Sequence, residues 1–330
     1  MKIKTMKITG LLVTLVMLVT MLGVLALTAS AADITSSQPA VGDGSESNPY
    51  QITSAGELYW FAEYVNAGNA SACAKLMNDI TVNENVIVNG ALNSNTSEFV
   101  AWTPIGVRIG SSTKAFSGTF DGGNHTVSGL YVSATSGYQG LFGYIQSATV
   151  KNVKVADSYF SGTTNIGAVV GCYGVNGTAS TVTNCHNVGS VVIGSDYYVG
   201  GVVGGQYAPA TYVAEIVISN CSNSGSVTGA KHYVGGVIAY ARSTSEGTAI
   251  SGCINTGTVT NTSTSRAQGT GGIAGYFGGS SAVNVEIVDC INSGTIQIAE
   301  GGKQDYMGGI IGQNSYGHIS DCNNAGTISG

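Results

Sequence analysis

From residue 137 onward, short apolar runs alternate with glycine-rich polar bends, and the alternation recurs in register. One run reads "VGGVVG" from 199, echoed by "IGAVVG" from 166, "VGGVIA" from 234, "TGGIAG" from 270 and "MGGIIG" from 307. A second run follows each: "VTNCHNVGSV" from 182, "ISNCSNSGSV" from 218, "ISGCINTGTV" from 250, "IVDCINSGTI" from 287 and "ISDCNNAGTI" from 319. A degenerate first copy reads "YQGLFG" from 138 and "VKNVKV" from 150. The lone cysteines Cys185, Cys221, Cys253, Cys290 and Cys322 lie 36, 32, 37 and 32 residues apart. Each unit is too short to bury its own apolar face, so it must stack on its neighbours. The pattern predicts an all-β fold, a parallel β-helix (β-solenoid) of about eight coils, the competing architecture being a β-sandwich. Residues 137–330 hold six such units, stacked at roughly the 4.8 Å interstrand spacing.

Column positions can be read one at a time. Val150 and Val153 are both apolar but three apart, so strict alternation cannot put them on one face. A bend between them can. The residue at that bend is Asn152, Asn184, Asn220, Gly252, Asp289 and Asp321 in successive units, the residue types that tolerate left-handed backbone. The cysteine column continues Val153 and reads as small, inward hydrophobes. Metal ligation is the sharper alternative, but a file of single cysteines lacks the clustered spacing of a tetrahedral site. Disulfides are a second alternative in an exported chain, although parallel neighbours point their side chains the same way. Two residues on, Asn187, Asn223, Asn255, Asn292 and Asn324 are placed to hydrogen-bond along the stack as an amide ladder. Gly189, Gly225, Gly257, Gly294 and Gly326 read as the next corner.

The "GLFG" at Gly140 to Gly143, with "GGVVG", "GGIAG" and "GGIIG", resembles the GLUG repeat of bacterial surface proteins over residues 137–330. That resemblance implies an exported, wall-associated or adhesin-like β-helical protein, often part of a longer chain. It carries no catalytic residues to transfer. Unit one departs from the pattern, lacking the cysteine and the second asparagine, and reads as a transition coil.

Residues 33–136 have a different pattern. "NPYQITSAGELYWFAEYVNAG" places Ser54 and Glu57 at capping-box spacing, with Leu58, Phe61 and Val65 on one helical face. This predicts a capping helix followed by the first coils, since an open sheet edge otherwise pairs with other chains. The chain closes on "AGTISG" without a comparable cap, so a further C-terminal region or another chain is expected at that edge.

Residues 1–32 read as a secretory signal peptide: Lys2, Lys4 and Lys7, a long apolar run, then Ala29-Ser30-Ala31. Its removal takes three lysines, and the formal net charge goes from −6 to −9. An acidic chain with scattered basic residues has no nucleic-acid footprint and no attraction to anionic membranes once the signal is cleaved. Forty-nine glycines without a G-X-Y period exclude collagen.

Candidate chemistry is sparse. Asp121 and His125 in "FDGGNHT" could act together, but Asp-Gly-Gly-Asn is also a tight-turn sequence. Asp289 and Asp321 fall in one column, where paired carboxylates could serve glycoside hydrolysis, yet Asn and Gly fill that column too. No nucleophile-elbow, zinc-protease, P-loop or EF-hand pattern appears, so no enzyme, cofactor or metal is expected. Tyr198, Tyr233 and Tyr306 precede inward residues and should face outward. Tyr240 and Tyr276 lie beside loops of varying length, near Tyr207 and Tyr212. Exposed rings could stack on sugars, or could simply cover coil edges. The leading expectation is a non-enzymatic adhesive or structural surface protein, with a surface glycan or host matrix protein as partner. A carbohydrate-binding module on the loop face is the alternative, and a polysaccharide lyase or glycoside hydrolase a third reading.

Overall fold

Runs rich in Val, Ile and Thr, broken every few residues by a bend, leave each strand only two to five residues long. Such strands gain stability from neighbours above and below rather than from length. In the computed structural model they do so as a parallel β-solenoid. The structure describes residues 34–109, 112–174, 178–207, 215–242, 249–279 and 285–330. The expected signal peptide, 1–32, and the loop stretches at Tyr212, 243–248 and 280–284 lie outside them.

Four long parallel sheets run along the stack, with nine, eight, seven and six strands among the described residues. The nine-stranded sheet begins at Tyr50–Ile52 and ends at Gly317–Ser320, and the eight-stranded sheet runs from Ile80–Thr81 to Asn323–Asn324. The seven-stranded sheet runs from Tyr131–Ser133 to Thr327–Ser329, and the six-stranded one from Phe142–Gln146 to Ile311–Ser315. A five-stranded sheet of two-residue strands, from Ile166–Gly167 to Met307–Gly308, lines one corner. Six complete turns therefore carry all four long sheets, not the expected eight. The difference arises at the N-terminal end, where earlier layers contribute to three sheets, then two, then one.

The register is one residue per rung. Phe120, Val150, Val182, Ile218, Ile250 and Ile287 form a single file in the nine-stranded sheet and are fully buried. Each such side chain is worth about 1.5–3 kcal/mol on burial. Val150 and Val153 are both buried, and the bend between them is real: Asn152, Asn184, Asn220, Gly252, Asp289 and Asp321 all have φ between 51° and 61°.

Helix α1 (Ala55–Asn66) sits where the layers are incomplete. Ser54 caps it by accepting the Glu57 N–H, while Glu57 Oε2 accepts the Thr53 N–H at 2.6 Å. Its Leu58, Phe61 and Val65 are buried, with the Phe61 ring 6.2 and 6.1 Å from those of Phe116 and Phe120. The helix thus closes the core over the first rungs. One continuous apolar core runs from Tyr50 to Ile296.

Candidate functional site

Inside the stack, the two repeated motifs meet. Asn187 donates from Nδ2 to Asn223 Oδ1 at 2.8 Å, Asn223 to Asn255 at 2.8 Å, Asn255 to Asn292 at 2.8 Å and Asn292 to Asn324 at 2.7 Å. Within its own turn Asn255 also donates to the Gly257 carbonyl and accepts the Gly257 N–H, both at 3.3 Å. Its two donors and its acceptor oxygen are therefore fully used. A Cβ on Gly236 would lie 2.5 Å from the Asn255 side-chain carbon, and Gly201, Gly272 and Gly309 stand against Asn223, Asn292 and Asn324 in the same way. The second glycine of "GGxxG" is the seat of the asparagine of "NCxNxG". In the first turn the same two positions hold Leu141 and Val155, both in the apolar core.

The glycine after the ladder has a different origin from the one expected. Gly189 alone of that column has a left-handed φ, at 68°. Gly257, Gly294 and Gly326 are required because a side chain there would collide with the carbonyl of the glycine one turn below. Close stacking, not backbone handedness, selects them.

The five cysteines of the column form no disulfide; Cys185, Cys221, Cys253 and Cys290 are buried, with Cys322 half-buried. Their thiols bond to backbone carbonyls, as Cys185 does to Thr183 at 3.3 Å, while the Cys253 N–H reaches Cys290 Sγ at 3.4 Å. Burial pushes the Cys221 thiol far above its usual range, and the bond with Cys221 does the same for Cys253. Neutral thiols are poor nucleophiles and poor metal ligands.

The outward tyrosines form a packed patch. Tyr198 and Tyr233 stack at 5.8 Å and 5°, and Tyr240 and Tyr276 at 4.6 Å and 10°. The two files meet edge to face, Tyr198 and Tyr233 each 5.1 Å from Tyr240. Gly205 and Gly269 leave room for the rings of Tyr198 and Tyr233. All four are half-buried, and burial raises the hydroxyl pKa of Tyr198, Tyr240 and Tyr233, the last to about 12. Tyr198 and Tyr233 sit at φ of 66° and 61°, a conformation rare for aromatic residues. The stacked rings cover one another's faces, and the Tyr233 hydroxyl donates to Gln268 Oε1 at 2.9 Å. Tyr306 lies apart and is 47% exposed. Beside the patch lies a group that the sequence reading passed over. Tyr197 stacks on His232 at 5.3 Å and receives Lys231 over its face at 5.4 Å, with Lys231 paired to Asp196 at 3.0 Å. The adjacent "DYY" and "KHY" were its only signal.

Asp121 and His125 are not brought together as a pair. Asp121 Oδ1 accepts the Gly123 N–H at 2.9 Å and Asn152 Nδ2 at 3.0 Å, closing the turn. Burial acts to raise its pKa, but Asn152, Gly123 and Lys151 together hold it below the usual value. His125 instead faces Asp79, at 3.3 Å. Asp289 and Asp321 serve as corners in the left-handed region.

The family described as "The GLUG motif" matches residues 195–228 and 305–329. The chain carries GLUG repeats in these two segments. Each matched segment holds one glycine seat and its asparagine, Gly201 with Asn223 and Gly309 with Asn324. The chain is also 27% identical to halomucin of Haloquadratum walsbyi over 225 residues, which take in 62% of this chain and 2% of halomucin's length. Among solved structures, the repeat resembles a crystal structure from Bacteroides ovatus described as a candidate immunoglobulin A1 protease. The TM-score is 0.62 at 21% identity, over 85% of this chain and 76% of that one. At that identity the likeness concerns the fold.

Proposed function

We propose that this GLUG-repeat protein is an exported, cell-surface or secreted scaffold with an adhesive or structural role and no reaction of its own. The observation that carries the reading is that the residues the repeat multiplies are consumed in the stack. Asparagine amides bond along the ladder, thiols are buried, and the four central tyrosines cover one another. Chemistry spent on cohesion is what a load-bearing or display scaffold requires, and what a catalytic site cannot spare. The signal segment and the GLUG resemblance support a surface or extracellular location. In the carbohydrate-binding alternative, the patch would offer a sugar hydroxyl-bearing edges in place of ring faces.

The test pairs a binding screen with a turnover assay on the purified chain without its signal segment. Saturable binding to a glycan or matrix protein, with immunoglobulin A1 and polysaccharides left intact, is the adhesive outcome. Neither binding nor turnover leaves the structural role. Cleavage that disappears in Asp121→Ala would overturn the reading and make the Asp121 turn a catalytic site.

A further inference from the structure

One repeated set of groups is left over from the stack. After each ladder glycine the chain runs "GSVT" from 225, "GTVT" from 257, "GTIQ" from 294 and "GTIS" from 326. These are strands of the seven-stranded sheet, paired in parallel with one residue per rung. Their inward residues Val227, Val259 and Ile296 are fully buried, so the residues on either side point outward. Ser226, Thr258, Thr295 and Thr327 make one outward file, and Thr228, Thr260, Gln297 and Ser329 the other. The files lie two residues apart along each strand, roughly 6.6 Å, and step by roughly 4.8 Å per turn. Lower turns begin the same files with Tyr131 and Tyr159 in the first and Ser133 and Ser161 in the second, before Val191 and Ile193 interrupt them.

The hydroxyls of this face are unspent. On the nine-stranded sheet Thr183 and Ser219 bond to each other at 2.7 Å. Here Ser226, Thr228, Thr258, Thr295, Thr327 and Ser329 make no side-chain hydrogen bond among the described residues, and Thr260 only accepts from Gln297 Nε2 at 3.1 Å. Branching at Cβ restricts χ1 of threonine, so hydroxyl and methyl recur with the strands. No charged residue stands in either file, although the chain carries 18 acidic and 12 basic residues.

We infer that this face binds a neutral, extended polysaccharide laid along the stack, with about one sugar per turn. Absence of charge selects an uncharged partner, and paired hydroxyls offer each sugar a donor and an acceptor. An extended β-1,4-linked chain advances by close to one interstrand spacing per sugar, so successive turns meet successive units. Many weak contacts in register then add where one alone is slight. An ice surface would need an unbroken lattice, which Val191, Ile193 and Gln297 interrupt, whereas a sugar chain accommodates each rung separately. The upper four turns also lack the large aromatic anchors of a protein interface. The inference rests on the adhesive form of the scaffold reading and names its partner.

The experiment is calorimetry on the purified chain from residue 33, with glucose, cellobiose, cellotetraose and the galacturonate tetramer as probes. Cellotetraose, which spans four turns, is expected to bind at least about tenfold more tightly than cellobiose, and the acidic tetramer more weakly than cellotetraose. Thr228→Val, Thr258→Val and Thr295→Val together keep the branched shape and remove three hydroxyls, and should weaken cellotetraose at least about tenfold. Thr181→Val, on the nine-stranded sheet, should leave it unchanged. Thr260→Lys lays a long charged side chain across the second file, is expected to block the tetramer, and serves if the triple variant alters the melting temperature. No binding of cellotetraose, no gain with length, a tighter hold on the acidic tetramer, or binding unchanged in both variants overturns the inference. Inhibition of ice recrystallisation without glucan binding overturns it too, in favour of a water lattice. None of these outcomes touches the scaffold reading, which falls only to turnover.

Discussion

Asn255 shows what one residue contributes here. It is fully buried, donates to Asn292 and Gly257, and accepts from Asn223 and the Gly257 N–H. Asn255→Ala would orphan several of these groups at once, each costing about 1–3 kcal/mol when buried. A loss of about 2–4 kcal/mol in chemical denaturation is expected, against a much smaller one for the exposed Asn324→Ala. The thiols make a second prediction. With their protons held by burial and mutual bonding, Cys221, Cys253 and Cys290 should resist alkylation in the native protein, and Cys322 should label before them. Mass spectrometry before and after denaturation reads this directly. His186 gives a third. Its Nδ1 lies 2.8 Å from Ser222 Oγ and its Nε2 3.0 Å from Asn184 Oδ1, an arrangement that satisfies the neutral ring. Burial, with a contribution from the Lys154 charge, lowers its pKa below the ordinary 6.5. As pH falls below about 6.5 the unfolded chain takes up the proton first, so stability should decline toward acid and stay level above. His186→Ser, which copies Ser222 one turn on, should flatten that decline in melting curves.

At the scale of an element, the tyrosine files are the test case. Their rings lie face to face at 4.6 and 5.8 Å, so removing one exposes its neighbour. Tyr240→Ala should cost about 2–3 kcal/mol, toward the lower end for a large aromatic because the ring is half-buried. The combined Tyr198/Tyr233/Tyr240/Tyr276→Ala variant should melt well below the parent. If it instead keeps its melting temperature and loses glycan-array signal, the patch is a binding surface. The capping helix was legible from Ser54, Glu57 and its apolar face, because its determinants are local. Glycine columns were legible as positions but not as causes: Gly257 looks like a corner, and only the carbonyl of Gly225 one turn below explains it.

Across the whole molecule, each turn touches only its neighbours, so stability should fall toward the less covered end. Ile319 and Ile328 are 48% and 46% exposed, where their counterparts Ile287 and Ile296 one turn earlier are fully buried. Hydrogen exchange should therefore be fastest in 311–329 and slowest in the central turns, and uniform protection would contradict the nearest-neighbour picture. The sequence by itself determined the repeat, the inward files, the left-handed corners and the asparagine column. Each turn meets nearly the same neighbours, and a periodic environment writes a periodic pattern. Tertiary structure alone decided the rest: six complete turns, His125 facing Asp79 and not Asp121, and tyrosine faces turned toward one another. These depend on how segments of unequal length come into register, as where Ala101 pairs with Tyr131 and Ile105 with Phe142, four residues against eleven. No local pattern records that distance, because it is set by where the chain meets itself.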